Sequence, residues 1–98
     1  MKPLRLHASA RDETNETTRW YAARSTNAGQ RFRDEILTSL RKAASSPLLF
    51  PAYLHDTRRI FLRRFPYFIV FLDQPEEIIV LAVAHAKRRP GFWQKRTP

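Results

Sequence analysis

Residues 58–89 read RRIFLRRFPYFIVFLDQPEEIIVLAVAHAKRR, and the way this stretch is punctuated decides the fold. Pro66 and the turn sequence Asp73-Gln74-Pro75-Glu76 divide it into three strand-like segments, Thr57 to Phe65, Tyr67 to Asp73 and Ile78 to His85. Proline cannot donate to a ladder, and Asp and Pro together favour chain reversal. Connections this short join antiparallel neighbours, so the segments form an antiparallel meander. The last two, YFIVFL and IIVLAVA, are apolar at every position, the pattern of central strands covered on both faces. Helices cover one face, and a partner or the C-terminal tail covers the other. The first segment differs, because Arg58, Arg59, Arg63 and Arg64 make it basic on both faces. Such charges serve either as a strip facing an anionic target or as solvated groups that keep a sheet edge from pairing with a neighbour.

Working back toward the N terminus, Leu48 to Asp56 carries Leu49, Phe50 and Tyr53 beside Pro51, a linker too apolar to run free in solvent. Before it, Phe32, Ile36, Leu40 and Ala43 or Ala44 fall on one helical face. That helix starts from a cap among Ser25, Thr26 and Asn27 and stops at Ser45-Ser46-Pro47. Ala10 to Arg24 contains no breaker, and Asp12, Glu13 and Glu16 sit in the early turns, where the helix dipole favours acid. This predicts a first helix, so the two helices make a hairpin. Leu4, Leu6 and Ala8 alternate with Arg5 and His7 as a short first strand, and Ser9 follows as a cap. Trp20, Tyr21, Phe32, Ile36 and Leu40 are assigned to packing between helices and core. The result is one α+β domain over residues 1–98, of order βααβββ, with a helical hairpin packed on a curved antiparallel sheet.

Composition narrows the chemistry. With 18 Lys and Arg against 9 Asp and Glu, the net charge of +9 favours an anionic partner. An apolar content of 43% with 12% aromatics is too high for a disordered basic tail. The absence of cysteine excludes disulfides, a thiol nucleophile and a Cys-based zinc site. His7, His55 and His85 lack ligand spacing, so no metal is expected. Two glycines, Gly29 and Gly91, are too few for either Gly-rich nucleotide loop, and no small-molecule cofactor is expected. The longest apolar run, Ile78 to Ala84, falls far short of the roughly 20 residues that span a membrane. The first eleven residues lack the apolar core of a secretion signal, and the expected location is the cytoplasm.

The order βααβββ, the string RRIFLRRFPYFIVFL and the ending IIVLAVAHAKRRPGFWQKR together resemble the RelE/ParE family of toxins, the plasmid stabilisation family, from type II toxin–antitoxin modules. The resemblance spans about Leu4 to Arg96. It implies a small basic toxin that stops translation or replication when freed, neutralised by a cognate acidic antitoxin whose flexible segment folds as it binds. It leaves two mechanisms, because RelE-like members cut messenger RNA in the ribosomal decoding site and ParE-like members poison DNA gyrase. Metal-free RNA cleavage needs a base, an acid and cations around the developing phosphorane charge. RelE-like nucleases place an arginine in the strand after the tight turn and a tyrosine in the C-terminal tail. Here Phe68 takes the strand position, and the tail offers Phe92 and Trp93, which exchange no protons.

Those departures favour a ParE-like, non-enzymatic inhibitor of gyrase, with a ribosome-dependent mRNA endonuclease as the alternative. The endonuclease reading would use Arg58 or Arg63, His85 and Arg88, with His85 as base because its ordinary pKa lies near neutrality. Arg59, Arg64, Lys87, Arg88, Arg89, Phe92, Trp93 and Arg96 are the expected target-binding residues, gathered into one patch if the strands pair as a meander. Each also admits a structural role. Arg88 could pair with Glu76 or Glu77, Phe92 and Trp93 could anchor the tail against the sheet, and His85 could be a hydrogen-bonded strand end.

Overall fold

The computed structural model describes residues 1–98. Its order is β1 (Leu4–Leu6), α1 (Ala8–Arg24), α2 (Thr26–Ser45), β2 (Arg58–Phe61), β3 (Tyr67–Asp73) and β4 (Ile78–His85), with short 3-10 turns in the linker and the tail. Both helices lie on one face of a four-stranded sheet of order β1-β4-β3-β2. The meander β2-β3-β4 is antiparallel throughout. β1 completes the sheet by pairing parallel to β4, Leu4 opposite Ile78 and Leu6 opposite Val80, so the sheet is mixed rather than wholly antiparallel. The chain leaves β1 directly into α1, which runs over the sheet in the crossover that parallel pairing demands.

The helical hairpin turns on one residue. Ser25, with extended backbone, donates its N–H to the Tyr21 carbonyl (2.9 Å) at the end of α1, while its Oγ accepts from Ala28 N–H (3.3 Å) at the start of α2. Just beyond, a Cβ on Gly29 would lie 2.8 Å from the Cβ of Ala22, so glycine sets how closely the two helices approach. α2 buries Gly29, Phe32, Ile36, Ser39, Leu40, Ala43 and Ala44, a single stripe at helical spacing. α1 starts two residues earlier than its serine suggested. His7 is the N-cap, its Nδ1 accepting from Ser9 N–H (3.0 Å), so Ala8 is helical and Ser9 lies inside the first turn. Trp20 also departs from its core assignment: it is 50% exposed, with the Arg24 guanidinium 3.5 Å above its ring. The residue that packs inward is its neighbour Tyr21, against Phe32 and Phe65.

Two cores result. Under the helices, Ile60, Leu62, Ile69, Phe71, Ile78, Val80 and Val83 meet Ala10 and the stripe of α2. On the opposite face, Phe68, Val70, Leu72, Ile79, Leu81, Ala82 and Ala84 meet Trp93. The face that needed cover is closed by the chain's own tail, so β3 and β4 leave no apolar sheet face open. A bulge between Val70 and Phe71 leaves Leu81 without a partner, which turns Leu81 and Ala82 to the same face and reverses the alternation of β4 beyond them. The linker runs along the outer edge of β2. Arg59 N–H bonds to Pro51 C=O (3.2 Å) and Tyr53 N–H to Thr57 C=O (2.7 Å), which covers an edge that would otherwise be open to pairing. Phe50 thereby reaches Phe71 on the helical face, and Tyr53 stacks on Trp93 on the other.

Candidate functional site

β2 is shorter than its sequence suggested. Pairing stops at Phe61, because Leu62 to Phe65 turn toward β3, with Leu62 N–H bonded to Tyr67 C=O (3.0 Å). This turn lies beside the exit of β4, where Ala86 N–H donates to Pro66 C=O (2.8 Å) and the His85 ring meets the Tyr67 ring edge-on at 5.2 Å. The α1–α2 connection reaches the same end, through Tyr21 and Phe32 against Phe65. One pole of the molecule therefore carries Arg63 and Arg64 from the turn and Lys87, Arg88 and Arg89 after β4, all exposed. The three ion pairs of the chain use Lys2 with Asp73, Arg5 with Glu77 and Arg96 with Glu13, so none of the five side chains is ion-paired. Two of these pairs hold Asp73 and Glu77 of the β3–β4 turn, at the far end of the strands. Charge is thus segregated along the sheet, which focuses a positive field at one end.

The turn is fastened from α2. The carboxylate of Glu35 accepts the backbone N–H of Arg63 on one oxygen and that of Arg64 on the other. Arg31, Lys42, Arg63 and Arg64 line the adjoining cleft between α2 and β2, about 460 Å³ in volume, and Phe61, 55% exposed, borders it.

The expected site residues divide into several groups. Arg63, Arg64, Lys87, Arg88 and Arg89 come together at the pole. Arg88 stacks its guanidinium 4.1 Å from the Phe92 ring instead of pairing with Glu76 or Glu77. Arg58 donates from Nη1 to Phe50 C=O (2.7 Å), engaged with the linker. Arg59 lies on the face opposite the helices, its guanidinium 3.7 Å above Tyr53 and 4.5 Å from Phe61, with a buried Nε that has no acceptor. His85 accepts Lys87 N–H on Nδ1 (3.1 Å), which places the proton of the neutral ring on Nε2 and occupies the lone pair a general base would use. Two expectations are corrected. Trp93 is fully buried in the second core and offers no surface to a target. Arg96 is a structural arginine, bonded through Nη1 and Nη2 to Glu13 (2.9 and 3.0 Å) and through Nη1 to Leu81 C=O (2.9 Å).

Sequence reasoning missed Glu35 and a second surface. On the far side of α2, a groove of about 620 Å³ runs between both helices and β1. Leu4, Leu6, Leu37 and Leu40 give it apolar walls, and Arg11, Arg33 and Arg41 line it with charge. β1 is a sheet edge, and its Arg5 lies between Pro3 C=O and His7 N–H, which bond to Ile78 and Val80. By the alternation of a parallel ladder, the backbone groups of Leu4 and Leu6 face away from β4, at the open edge of the sheet. The individual signals existed, Leu37 among exposed helix positions and Arg33 and Arg41 flanking it, but only the docking of β1 assembles them.

A protein-family model described as the ParE toxin of type II toxin-antitoxin system, parDE, matches residues 4–90. Among solved structures, the chain superposes on one titled "Chromosomal ParDE TA system from P. aeruginosa" with a TM-score of 0.74 at 17% identity, covering 87% of this chain and 96% of that one. At that identity the superposition establishes a shared fold. No curated protein sequence matches the chain.

Proposed function

The chain belongs to the ParE toxin family of type II toxin–antitoxin systems, and from that premise we propose that it arrests growth by binding DNA gyrase and that an acidic antitoxin holds it inactive. The observation that carries the gyrase reading is the composition of the basic pole. Five exposed cations are gathered there, none of their side chains ion-paired with a carboxylate and no free acid–base pair among them. Cation density suits recognition of an anionic surface, whereas cleavage at a 2'-hydroxyl also needs groups that move protons. Of the four residues an endonuclease would draw on, Arg63, His85 and Arg88 lie at the same end of the sheet, but three of the four are otherwise engaged. Arg58 is engaged by Phe50 C=O, Arg88 stacks on Phe92, and His85 has its acceptor nitrogen occupied. Phe68, in the strand position where RelE-like nucleases carry arginine, is buried in the second core. The target places the site of action in the cytoplasm, and no helix is long and apolar enough to cross a membrane.

The antitoxin reading draws on the groove between β1 and the helices. An extended or helical segment with alternating apolar and acidic side chains would set its apolar groups against Leu37 and Leu40 and its carboxylates against Arg11, Arg33 and Arg41. The groove opens toward β1 and the middle of α2, apart from the basic pole.

Induction of the chain in cells lacking the antitoxin, scored together for growth, messenger RNA integrity and the DNA-damage response, tests the target. Arrest with intact messenger RNA and induced damage signalling is expected, and the purified chain should inhibit supercoiling by gyrase. Messenger RNA cut at codon-defined positions would replace this reading with the endonuclease. Leu37→Lys, at a position 43% exposed, should leave arrest intact and abolish rescue by the antitoxin. Undiminished rescue would move the antitoxin to another surface.

A further inference from the structure

The basic turn between β2 and β3 is closed by Leu62 N–H on Tyr67 C=O, but the N–H groups of its two arginines are not satisfied within it. Leu62 to Phe65 contains no glycine and no proline, and the N–H groups of Arg63 and Arg64 find their acceptor 28 and 29 positions away, on Glu35 of α2. Two successive backbone N–H groups converging on one anion form a nest, a concavity that binds negative charge. Here the anion is a side chain of the same protein. Its use is unusual for its surroundings. Arg31, Lys42, Arg63 and Arg64 line the same cleft, yet Glu35 forms an ion pair with none of them. A carboxylate that paired with a guanidinium would draw that side chain down onto α2 and quench its charge. By accepting from the backbone instead, Glu35 fixes the path of the turn and leaves both guanidinium groups in solvent.

We propose that Glu35 is a positioning residue for target binding: it pins the Arg63–Arg64 turn to α2 so that both guanidinium groups project at the basic pole in one arrangement. The proposal rests on the reading of that pole as the target-binding surface. A turn fixed before the encounter loses less conformational freedom on binding, and the loss of a fixed geometry is felt in affinity even when every contact residue remains. Glu35 itself touches no target. Its effect travels only through the two arginines.

The test compares full-length wild type, Glu35→Ala, Glu35→Gln, the Arg63→Ala/Arg64→Ala double variant and that double variant carrying Glu35→Ala. Affinity for gyrase, amide hydrogen exchange at residues 63 and 64 and the thermal midpoint are measured on each. Glu35→Ala should weaken binding and speed exchange at both amides by roughly tenfold each, the scale of a lost charged hydrogen bond. Glu35→Gln, which keeps one acceptor oxygen, should fall between the two. With both arginines gone, removing Glu35 should change affinity no further, which is what separates positioning from a general loss of stability. Wild-type affinity in Glu35→Ala, alongside lost affinity in the arginine variant, would overturn the proposal. So would an undiminished effect of Glu35→Ala in the arginine-free background. Wild-type affinity in the arginine variant itself would instead remove Arg63 and Arg64 from the target-binding surface, the reading on which the proposal stands. Should Glu35→Ala fail to fold, the Glu35→Gln arm carries the same comparisons.

Discussion

Glu13 on α1 and Arg96 in the C-terminal tail, 83 positions apart, together replace a missing strand. β1 ends at Leu6, opposite Val80, so the edge of β4 beyond it has no backbone partner. Glu13 Oε1 accepts Val83 N–H (3.1 Å), and Arg96 Nη1 donates to Leu81 C=O (2.9 Å), while carboxylate and guanidinium bond to one another through both nitrogens. Each charge thus satisfies a backbone group of the opposite polarity. The ion pair at the same time ties the tail that covers one sheet face to the helix that covers the other.

Removing either partner leaves a charge with 17% side-chain exposure and an unpaired backbone group on β4. Glu13→Ala and Arg96→Ala should each cost about 2 kcal/mol, between the values for exposed and fully buried pairs. The double variant should cost much less than the sum. Chemical denaturation of the three variants measures this, and additive costs would mean that the two residues act independently.

Trp93 is the largest fully buried side chain, and its indole Nε1 has no acceptor. The two facts pull in different directions. Trp93→Ala removes the body of the second core and should cost about 3 to 5 kcal/mol, the range for deleting a buried aromatic. It should also release the tail, seen as rapid amide exchange after residue 90. Trp93→Phe keeps an aromatic ring against Tyr53 and discards the unpaired donor, so it should cost less than about 2 kcal/mol. If Trp93→Ala left the denaturation midpoint unchanged, the tail would not be a structural part of this fold.

How much of this was legible in the sequence follows from the range of each interaction. The stripe of α2, the β3–β4 turn and the doubly covered β3 and β4 are written in local pattern and appear where the pattern put them, whereas the first turn of the meander begins at Leu62, before the proline that marked it. β1 was legible as a strand but not as a parallel partner of β4, because three residues carry no information about their neighbour. The bulge at Leu81 was hidden for another reason. An all-apolar strand has no alternation, so a reversal of phase leaves no trace in its sequence. Glu13 and Glu35 read as ordinary helix acids, since the groups they satisfy are backbone N–H groups of remote strands and turns. Trp93 and Phe92 are adjacent aromatics in a basic tail, and nothing local decides which one turns inward.

Gly29→Ala sets two known effects against each other. Alanine favours the helix by about 1 kcal/mol over glycine. Its Cβ would stand 2.8 Å from the Cβ and 3.0 Å from the Cα of Ala22, and the second of these is backbone that yields only if the helices separate. Such overpacking costs about 1 to 3 kcal/mol, so the net should be destabilising. A thermal midpoint above wild type would show that the hairpin opens freely at this point. The compensating variant Ala22→Gly/Gly29→Ala, which removes the opposing Cβ, should recover part of the loss.

The alkaline limb of stability should report Tyr21. Its phenol pKa is raised above the ordinary value, first by desolvation and then by the nearby Tyr67. The ring sits 4.8 Å from Phe65 and 5.6 Å from Phe32, in the aromatic cluster that joins the hairpin to the basic turn. A raised acid pKa means that the folded state holds its proton more tightly than the unfolded one. The contribution is therefore complete below the unfolded pKa of about 10 and is lost as pH rises through the folded value. Lysines titrate in the same range, so the comparison is between wild type and Tyr21→Phe, which share every lysine. Tyr21→Phe should match wild type near neutrality, because it keeps the ring packed against Phe32 and Phe65, and should lose less stability between about pH 9 and 11. Parallel stability curves through that range would mean that the phenol ionises equally well in the folded cluster and in the unfolded chain.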